Sequence, residues 1–277
     1  MRPAPDHAAE IEAWRRRRIE RLVSEVGWLS LTGLYWLEEG ENAVGADPSS
    51  AVRLPEGAAP GHAGSIRRDG NRAVFVASKE ASAEAGGRPV GGAVELRSDA
   101  GGSPTVVSFG PVRFHVIERG GRLGVRVADR ENPARRGVTS IPAFPVSAAW
   151  RFEARFEPYD PPRRIPFPNI LGAVEDESSP GAVLFSVEGR ELRLDPILER
   201  GETDYWIVFG DRTNGKETYA GGRFVYVAPP VRGKTILDFN RAYNPPCVFT
   251  PHSTCPLPPL QNRLPIRVEA GERVYTP

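Results

Sequence analysis

The chain has 277 residues, of which 40% are hydrophobic and 26% are charged. This composition is typical of a globular protein with a core large enough for one large β domain or two smaller ones. The formal net charge is only +1, so the broad basic surface that nucleic acid or an anionic membrane would require is not expected.

The polar N-terminus is not expected to be a secretory signal, and no apolar stretch approaches the roughly 18 residues of a membrane-spanning helix. We therefore expect a cytoplasmic protein with no membrane and no nucleic-acid partner. Arginine far outnumbers lysine, which occurs only at Lys79, Lys216 and Lys234, and this bias is typical of a GC-rich bacterial genome.

The first predicted element is a helix that is capped by Asp6 and runs to about Val26. The apolar residues of one face recur at the helical period of 3.6 residues, and they are Ile11, Trp14, Ile19, Leu22 and Val23. The arginine run Arg15–Arg18 has acidic neighbours, so we interpret it as a solvated helix face rather than a nucleic-acid patch.

After the densely apolar segment 27–37, short alternating stretches separated by turn residues predict β-strands. Hairpins are expected around Gly120-Gly121, Gly189 and Asn214-Gly215, since these dipeptides and glycines favour tight turns. The predicted strands comprise residues 51–54, 64–68, 73–76, 106–109, 113–118, 123–127, 150–157, 182–187, 191–194, 205–209, 218–227, 234–239 and 266–269. The pattern favours an all-β fold with an N-terminal helix.

Three parts are expected along the chain. Residues 1–26 form the helix, residues 27–103 a small β module, and residues 104–277 a larger antiparallel β barrel or sandwich. The stretch 81–103 is rich in Gly, Ala and Ser and is predicted to be the seam between the two β modules.

The segment 238–265 is the most unusual part of the sequence. It contains both cysteines, one of the four histidines and seven of the 28 prolines, so it can form neither a helix nor a central strand. Its aromatic, amide and arginine side chains argue against a flexible linker. We expect an ordered loop that lies over one end of the second β module. Long ordered loops of this kind often carry the functional site.

Three segments, Gly27–Leu34, Phe209–Phe224 and the loop 238–265, resemble a prokaryotic family known only as domain of unknown function 1684. The resemblance covers nearly the whole chain, and its C-terminal motif is very specific. It implies no activity. In the family pattern the position of His252 is commonly a tyrosine.

Residues 40–77 are more weakly similar to the first strands of a forkhead-associated (FHA) β sandwich. In that family an arginine follows the first glycine, and a Ser-Arg pair lies just upstream of the histidine. Here Ala46 and Ala59-Pro60 stand at those places. The resemblance therefore implies an FHA-like module that does not bind phosphothreonine.

A cluster of ionisable residues lies on the predicted hairpin around Gly120-Gly121. Arg113 and His115 share one strand face because side chains alternate with period two, and Arg126 can lie beside them on the paired strand. Such a face could hold a carboxylate or a phosphate. If the protein is an enzyme, His115 is the best candidate for a general base, with Asp129 or Asp238 to orient it. The alternative is a surface strand with ordinary charge pairs.

A second polar set flanks the Asn214-Gly215 hairpin and the start of the proline-rich loop. Its candidate ligand-binding residues are Tyr219, Arg223, Asn240 and Tyr243. Two interpretations are open, and they are compatible. The residues form either a hydrogen-bond network that holds the loop, or a polar pocket beneath it.

The two cysteines allow further interpretations. Cys247, His252 and Cys255 could bind a metal if a fourth ligand such as His115 or Asp238 completes the set. Cys255 could instead be a nucleophile with His252 or His115 as its base. A buried thiol that packs as a small hydrophobe is the simpler alternative. A Cys247–Cys255 disulfide would need an oxidising compartment, which is not expected.

Together these observations predict a cytoplasmic enzyme or binding protein with a polar pocket for a small anionic ligand. Arg113, His115 and Arg126 would share that pocket with the second polar set. The first alternative is a non-catalytic module that binds a protein partner, and the next is a metal protein built on the two cysteines. The sequence assigns no cofactor.

Overall fold

The computed structural model describes residues 6–199 and 201–275. These residues divide into two compact units. The first, called here the N-terminal unit, comprises residues 21–137 and 250–253. The second, called the C-terminal unit, comprises the remaining described residues, including residues 6–20. Most regular structure is β, with a single α-helix among the described residues, so the predicted fold class is confirmed.

The helix α1 spans His7–Val23. Its predicted cap is confirmed, because the Oδ1 atom of Asp6 accepts a hydrogen bond from the backbone N–H of Ala8 at 3.1 Å. The helix ends three residues before Val26, where Gly27 N–H donates to the carbonyl of Ser24 in a turn. No helix of the described residues has the length and apolar character needed to cross a bilayer.

The arginine run of α1 is solvated only in part. Arg16 and Arg17 are exposed, whereas Arg18 is buried and donates to the carbonyl of Asn244 at 2.9 Å. The interpretation of the run as a solvated face is therefore wrong for Arg18. The physical reason is a tertiary partner, the buried carboxylate of Glu272, which lies 3.3 Å from Arg18 Nε.

The N-terminal unit contains two sheets, of six and five strands. Their strands are β1 Leu31–Trp36, β2 Gly40–Gly45, β3 Val52–Arg53, β4 Gly64–Asp69, β5 Arg72–Ala77, β6 Glu84–Ala85, β7 Arg88–Pro89, β8 Ala93–Glu95, β9 Val106–Phe109, β10 Val112–Arg119 and β11 Arg122–Asp129. The larger sheet has the order β1-β11-β10-β9-β6-β7, and the smaller has the order β3-β2-β4-β5-β8.

One apolar core serves both of these sheets. Phe75 from the smaller sheet contacts Phe109 and Phe114 from the larger one edge to face, with ring centroids 6.2 Å and 5.4 Å apart. The seam predicted at residues 81–103 falls inside this unit, because β6 and β7 from that stretch belong to the same sheet as β9–β11. The FHA-like character of residues 27–103 stays a prediction.

The C-terminal unit contains the remaining strands. They are β12 Arg151–Pro168, β13 Val174–Val187, β14 Arg190–Leu194, β15 Tyr205–Phe209, β16 Arg223–Val227 and β17 Lys234–Asp238. One sheet has the order β14-β13-β12-β17, and β15 pairs with β16 in a second. The antiparallel sheets of the protein include a curled half-barrel, so the predicted barrel is present in part.

The core of this unit is built around the buried ring of Phe239. It contacts the rings of Trp150, Phe152, Phe185 and Phe209, with centroid separations between 5.2 Å and 6.2 Å. Phe239 directly follows β17, so the core fixes the point at which the proline-rich segment begins.

The C-terminal segment is ordered without forming strands. The strand predicted at residues 266–269 is wrong. Two side chains bond the backbone of Val268, so a regular ladder with a neighbouring strand does not form there. Val268 N–H donates to Asp211 Oδ1 at 3.2 Å, and Val268 O accepts from Arg223 at 2.9 Å. The segment also runs beside residues 210–212 through backbone bonds from Leu264 N–H to Gly210 O and from Arg212 N–H to Ile266 O.

Gly222 packs closely against Pro258 of the proline-rich segment. Its φ is +86°, and a Cβ there would lie 2.4 Å from Pro258 Cγ and 2.6 Å from the carbonyl oxygen of Phe209. We expect G222A to lower the free energy of unfolding by at least about 3 kcal/mol, since positive φ alone costs about 1–2 kcal/mol and the clash adds to it. Urea denaturation measures the loss.

G215A is the matched control for this substitution. Gly215 also has a positive φ, of +77°, but a Cβ there meets only the Ala220 Cβ at 3.9 Å. It should therefore cost only the backbone strain of about 1–2 kcal/mol. Equal losses in the two variants would show that the close approach to Pro258 contributes nothing.

Candidate functional site

A row of basic side chains occupies one face of the six-stranded sheet. His115 on β10 pairs directly with Arg126 on β11. Alternation along the two strands places five basic side chains on this face. We call this set the basic face, and it comprises Arg113, His115, Arg119, Arg122 and Arg126. The opposite face carries Phe114, Val125 and Val127, which belong to the apolar core. The predicted common face of Arg113, His115 and Arg126 is thus confirmed, whereas their role stays a prediction.

Two tryptophans contribute to the basic face. The guanidinium of Arg126 lies 5.1 Å from the ring centroid of Trp28, and that of Arg122 lies 4.5 Å from the ring of Trp36. Both are cation–π distances, and such stacking holds an arginine side chain in place. Arg113 is positioned differently, because it donates to the carbonyl of Glu25 at 3.1 Å.

His115 is half-buried at the centre of this face. The pKa of His115 is lowered to about 4, and burial is the largest cause. The positive charge of Arg126 is the next largest, and the charges of Arg113 and Arg119 have smaller effects. Asp99 opposes the shift. That carboxylate is engaged by Arg119, with two contacts of 2.9 Å and 2.7 Å. The imidazole is therefore neutral at pH 7 within a net positive field.

Asp129 does not take the orienting role that the sequence predicts for it. It pairs with Val112, and alternation places it on the opposite face of the sheet from His115. Its Oδ1 atom accepts a hydrogen bond from Glu131 N–H at 2.8 Å and so closes the turn after β11. This position corrects the prediction, and the reason is strand parity.

The second predicted set lies in the C-terminal unit, where Arg223 forms a buried ion pair. Its side chain and that of Asp211 have no exposed surface, and their nearest atoms are 2.8 Å apart. The guanidinium also donates to the carbonyls of Val268, Ala270 and Glu272. Arg223 thus holds the C-terminal segment, and its predicted role in ligand binding stays a prediction.

The turn around Asn214-Gly215 supports that ion pair. Asp211 Oδ1 accepts hydrogen bonds from Thr213 N–H at 2.7 Å and from the Thr213 hydroxyl at 2.6 Å. Thr213 in turn contacts the Thr218 hydroxyl at 2.8 Å, and Asn214 donates to Thr218 at 2.9 Å. These bonds and those of Arg223 form a network that holds residues 268–272, which follow the proline-rich loop. A network that holds the loop itself stays a prediction.

Asp238 and Asn240 form another buried polar group. Asn240 donates to Asp238 Oδ1 at 2.8 Å and to the carbonyl of Ser147 at 2.9 Å. The other carboxylate oxygen of Asp238 lies 2.8 Å from Nε2 of His7, the first residue of α1. Nothing in the sequence indicates that a histidine lies beside Asp238, because His7 is 231 positions away along the chain.

Tyr243 belongs to an aromatic stack in the same unit. Its ring is 6.1 Å from the ring of Tyr226 at an interplanar angle of 11°, and the Arg18 guanidinium lies 4.8 Å from its centroid. Tyr226 donates to Glu199 at 2.6 Å. Burial raises the pKa of both tyrosines and of Glu199, so the phenols stay protonated at neutral pH.

Tyr219 and the two cysteines are neighbours. The Sγ atom of Cys247 lies 3.4 Å from the Tyr219 hydroxyl, and Cys247 N–H donates to Cys255 Sγ at 3.2 Å. Among the described residues, no three His, Cys, Asp or Glu side chains are grouped so that they could hold a metal ion. The predicted set of Cys247, His252 and Cys255 is therefore not assembled.

The predicted site residues thus fall into two groups. Arg113, His115, Arg126 and Asp129 lie in the N-terminal unit, and Tyr219, Arg223, Asp238, Asn240 and Tyr243 lie in the C-terminal unit. The single pocket predicted from both groups stays a prediction.

The buried ion pair can be tested by removing one partner. We expect D211A to lower the free energy of unfolding by about 3–5 kcal/mol, because the Arg223 charge is left buried without its carboxylate. Glu153 forms an exposed pair with Lys234, and E153A should cost less than about 1 kcal/mol. Thermal unfolding measures both, and equal losses would contradict the network.

The protonation of His115 gives a second test. The unfolded chain binds this proton near an ordinary pKa of about 6.5, whereas the folded pKa is about 4. The unfolded state therefore binds more protons between these values, and stability falls as the pH drops through that window. NMR titration should give a midpoint near 4 for His115. H115Q should remove this part of the pH dependence, and a midpoint near the ordinary value would contradict it.

Comparison with known proteins gives a family of unknown function and similarity to solved structures. Residues 136–273 match a family model described as protein of unknown function (DUF1684). An uncharacterized protein of Haloarcula marismortui, solved by NMR in solution, is 27% identical over 51% of this chain and 80% of its own, with a TM-score of 0.43. No curated protein matches the chain. Residues 136–273 therefore belong to the DUF1684 family of proteins of unknown function.

Proposed function

We propose that this protein is a cytoplasmic protein that binds a small anionic ligand on the basic face of its N-terminal unit. The observation that carries the proposal is the direct pairing of half-buried His115 with Arg126, with Arg113 on the same face. Positive groups held on a partly buried sheet face attract anions more strongly than exposed side chains do, because water screens their charge less.

The geometry favours ligands with a phosphate or several carboxylate groups. A guanidinium offers donors in a fixed fork that fits either group. Stacking on Trp28 and Trp36 reduces the freedom of Arg126 and Arg122, so less conformational entropy is lost when an anion binds. The neutral imidazole adds one N–H donor, and a bound anion would raise the pKa of His115.

Binding is a better fit to this face than general-base catalysis. A base works best when its pKa is near the working pH, and the pKa of His115 is about 4. Asp129 projects from the other face of the sheet, so it cannot orient the imidazole. We therefore place His115 in ligand recognition rather than in proton abstraction.

A protein-binding function is the second candidate, and one feature favours it. Exposed apolar side chains occur where β12 turns into β13. They are Ile170 and Leu171 in the connection and Val174 at the start of β13, the last of them 61% exposed. Exposed apolar residues at a hairpin end are a common contact for another protein.

The anion proposal can be tested with inorganic pyrophosphate and citrate as probes in isothermal titration calorimetry. We expect at least one probe to bind, and R126Q to weaken it about tenfold or more, since a charge-assisted hydrogen bond contributes about 1.5–3 kcal/mol. Higher salt should also weaken binding. R122Q removes an exposed member of the face and serves where R126Q does not fold.

R67Q is the matched control. Arg67 is exposed on β4 of the other sheet in the same unit, so its loss changes the net charge equally but leaves the basic face intact. Absence of binding by both probes, or equal weakening in R67Q and R122Q, would overturn the proposal.

A further inference from the structure

The proline-rich segment places two thiols beside a phenol in the C-terminal unit. Both cysteines are thiols rather than a disulfide. Cys247 N–H donates to the sulfur of Cys255 at 3.2 Å, and the sulfur of Cys247 lies 3.4 Å from the Tyr219 hydroxyl. The residues of the basic face belong to the N-terminal unit, so this arrangement is built from a different set of residues.

Backbone contacts hold the two cysteines in this arrangement. Cys247 lies in the 3-10 turn Pro246–Val248. The carbonyl of Cys255 accepts a hydrogen bond from Ile170 N–H at 3.0 Å, and Leu257 N–H donates to Pro168 O at 2.7 Å. The sulfur of Cys255 thus rests against the backbone of Cys247, the residue whose sulfur it would join in a disulfide.

The two thiols have different chemical character. Hydrogen bonds from Cys255, and then from Tyr219, lower the pKa of Cys247 to about 7, against the opposing effect of burial. Burial raises the pKa of Tyr219, so its hydroxyl remains a donor at neutral pH. Cys247 is half-buried, whereas Cys255 is only 4% exposed. Cys247 is therefore the thiol that an outside reagent meets first.

We propose that Cys247 and Cys255 form a dithiol that hydroperoxides oxidise to a disulfide, with Cys247 as the attacking sulfur and Cys255 as the resolving one. The thiolate of Cys247 attacks the terminal peroxide oxygen, the O–O bond breaks, and Cys247 becomes a sulfenic acid while the other oxygen leaves as alkoxide or hydroxide. That leaving group takes up a proton, and the Tyr219 hydroxyl is placed to hydrogen-bond the reacting sulfur.

The second step forms the disulfide between Cys247 and Cys255. The sulfur of Cys255 attacks the sulfur of the Cys247 sulfenic acid, the S–O bond breaks, and the hydroxide that leaves combines with the Cys255 proton to give water. In total two thiols lose two electrons and two protons, and hydrogen peroxide is reduced to two molecules of water. A small thiol reductant reverses the change by exchange.

The test uses the reduced full-length chain treated with hydrogen peroxide, blocked with an alkylating reagent and mapped by mass spectrometry of its peptides. We expect a linked peptide pair that contains Cys247 and Cys255. In C255S the sulfenic acid on Cys247 has no resolving thiol, so dimedone should label it. C247S should give neither the linked pair nor a dimedone adduct.

The role of Tyr219 is read from the pH dependence of Cys247 alkylation. We expect a midpoint near 7 in the native chain and a higher one in Y219F, while Y226F, whose hydroxyl bonds Glu199 instead, should leave it unchanged. Persistence of both thiols in peroxide, absence of the dimedone adduct in C255S, or a native midpoint at the ordinary thiol value of about 8.5 would each overturn the proposal. The mapping of the native chain decides the question even where a variant does not fold.

Discussion

The buried pair of Arg223 and Asp211 determines the arrangement of the C-terminal unit. A charge without access to water is costly unless every strong donor and acceptor around it is satisfied. Here the carboxylate neutralises the guanidinium, and backbone carbonyls of Val268, Ala270 and Glu272 satisfy further donors. The C-terminal segment must therefore lie along this pair, and the proline-rich loop that leads to it is fixed at both ends.

The two candidate sites differ in their relation to the family. The network of Arg223 and the thiols of Cys247 and Cys255 lie within the residues that the DUF1684 model matches, and the basic face lies outside them. A shared property of the matched residues would thus concern the pinned loop and its thiols. Recognition of an anion, in contrast, would belong to the N-terminal unit of this chain.

Local patterns predicted the regular elements because their causes are local. Alternation placed Arg113, His115 and Arg126 on one sheet face, and the observed register of β10 and β11 agrees. Capping by Asp6 predicted the start of α1. These inferences needed only the periods of strands and helices and the chemistry of a cap.

The failures have non-local causes. The burial of Arg18 depends on Glu272, and the neighbour of Asp238 is His7; both partners are more than two hundred positions away. The strand expected at residues 266–269 is absent because the side chains of Asp211 and Arg223 bond the backbone of Val268 in place of a strand ladder. A single sequence carries no period or spacing that reveals such partners.

The pairing of Arg18 with Glu272 also constrains how this protein is made. Translation produces the helix first and the carboxylate long afterwards, so a nascent chain carries an arginine whose buried position does not yet exist. The C-terminal unit can close only after synthesis has passed residue 272. All strands of the N-terminal unit lie within residues 21–129, so they are synthesised well before Glu272. Closure of the C-terminal unit around Arg18 thus waits until Glu272 has been synthesised.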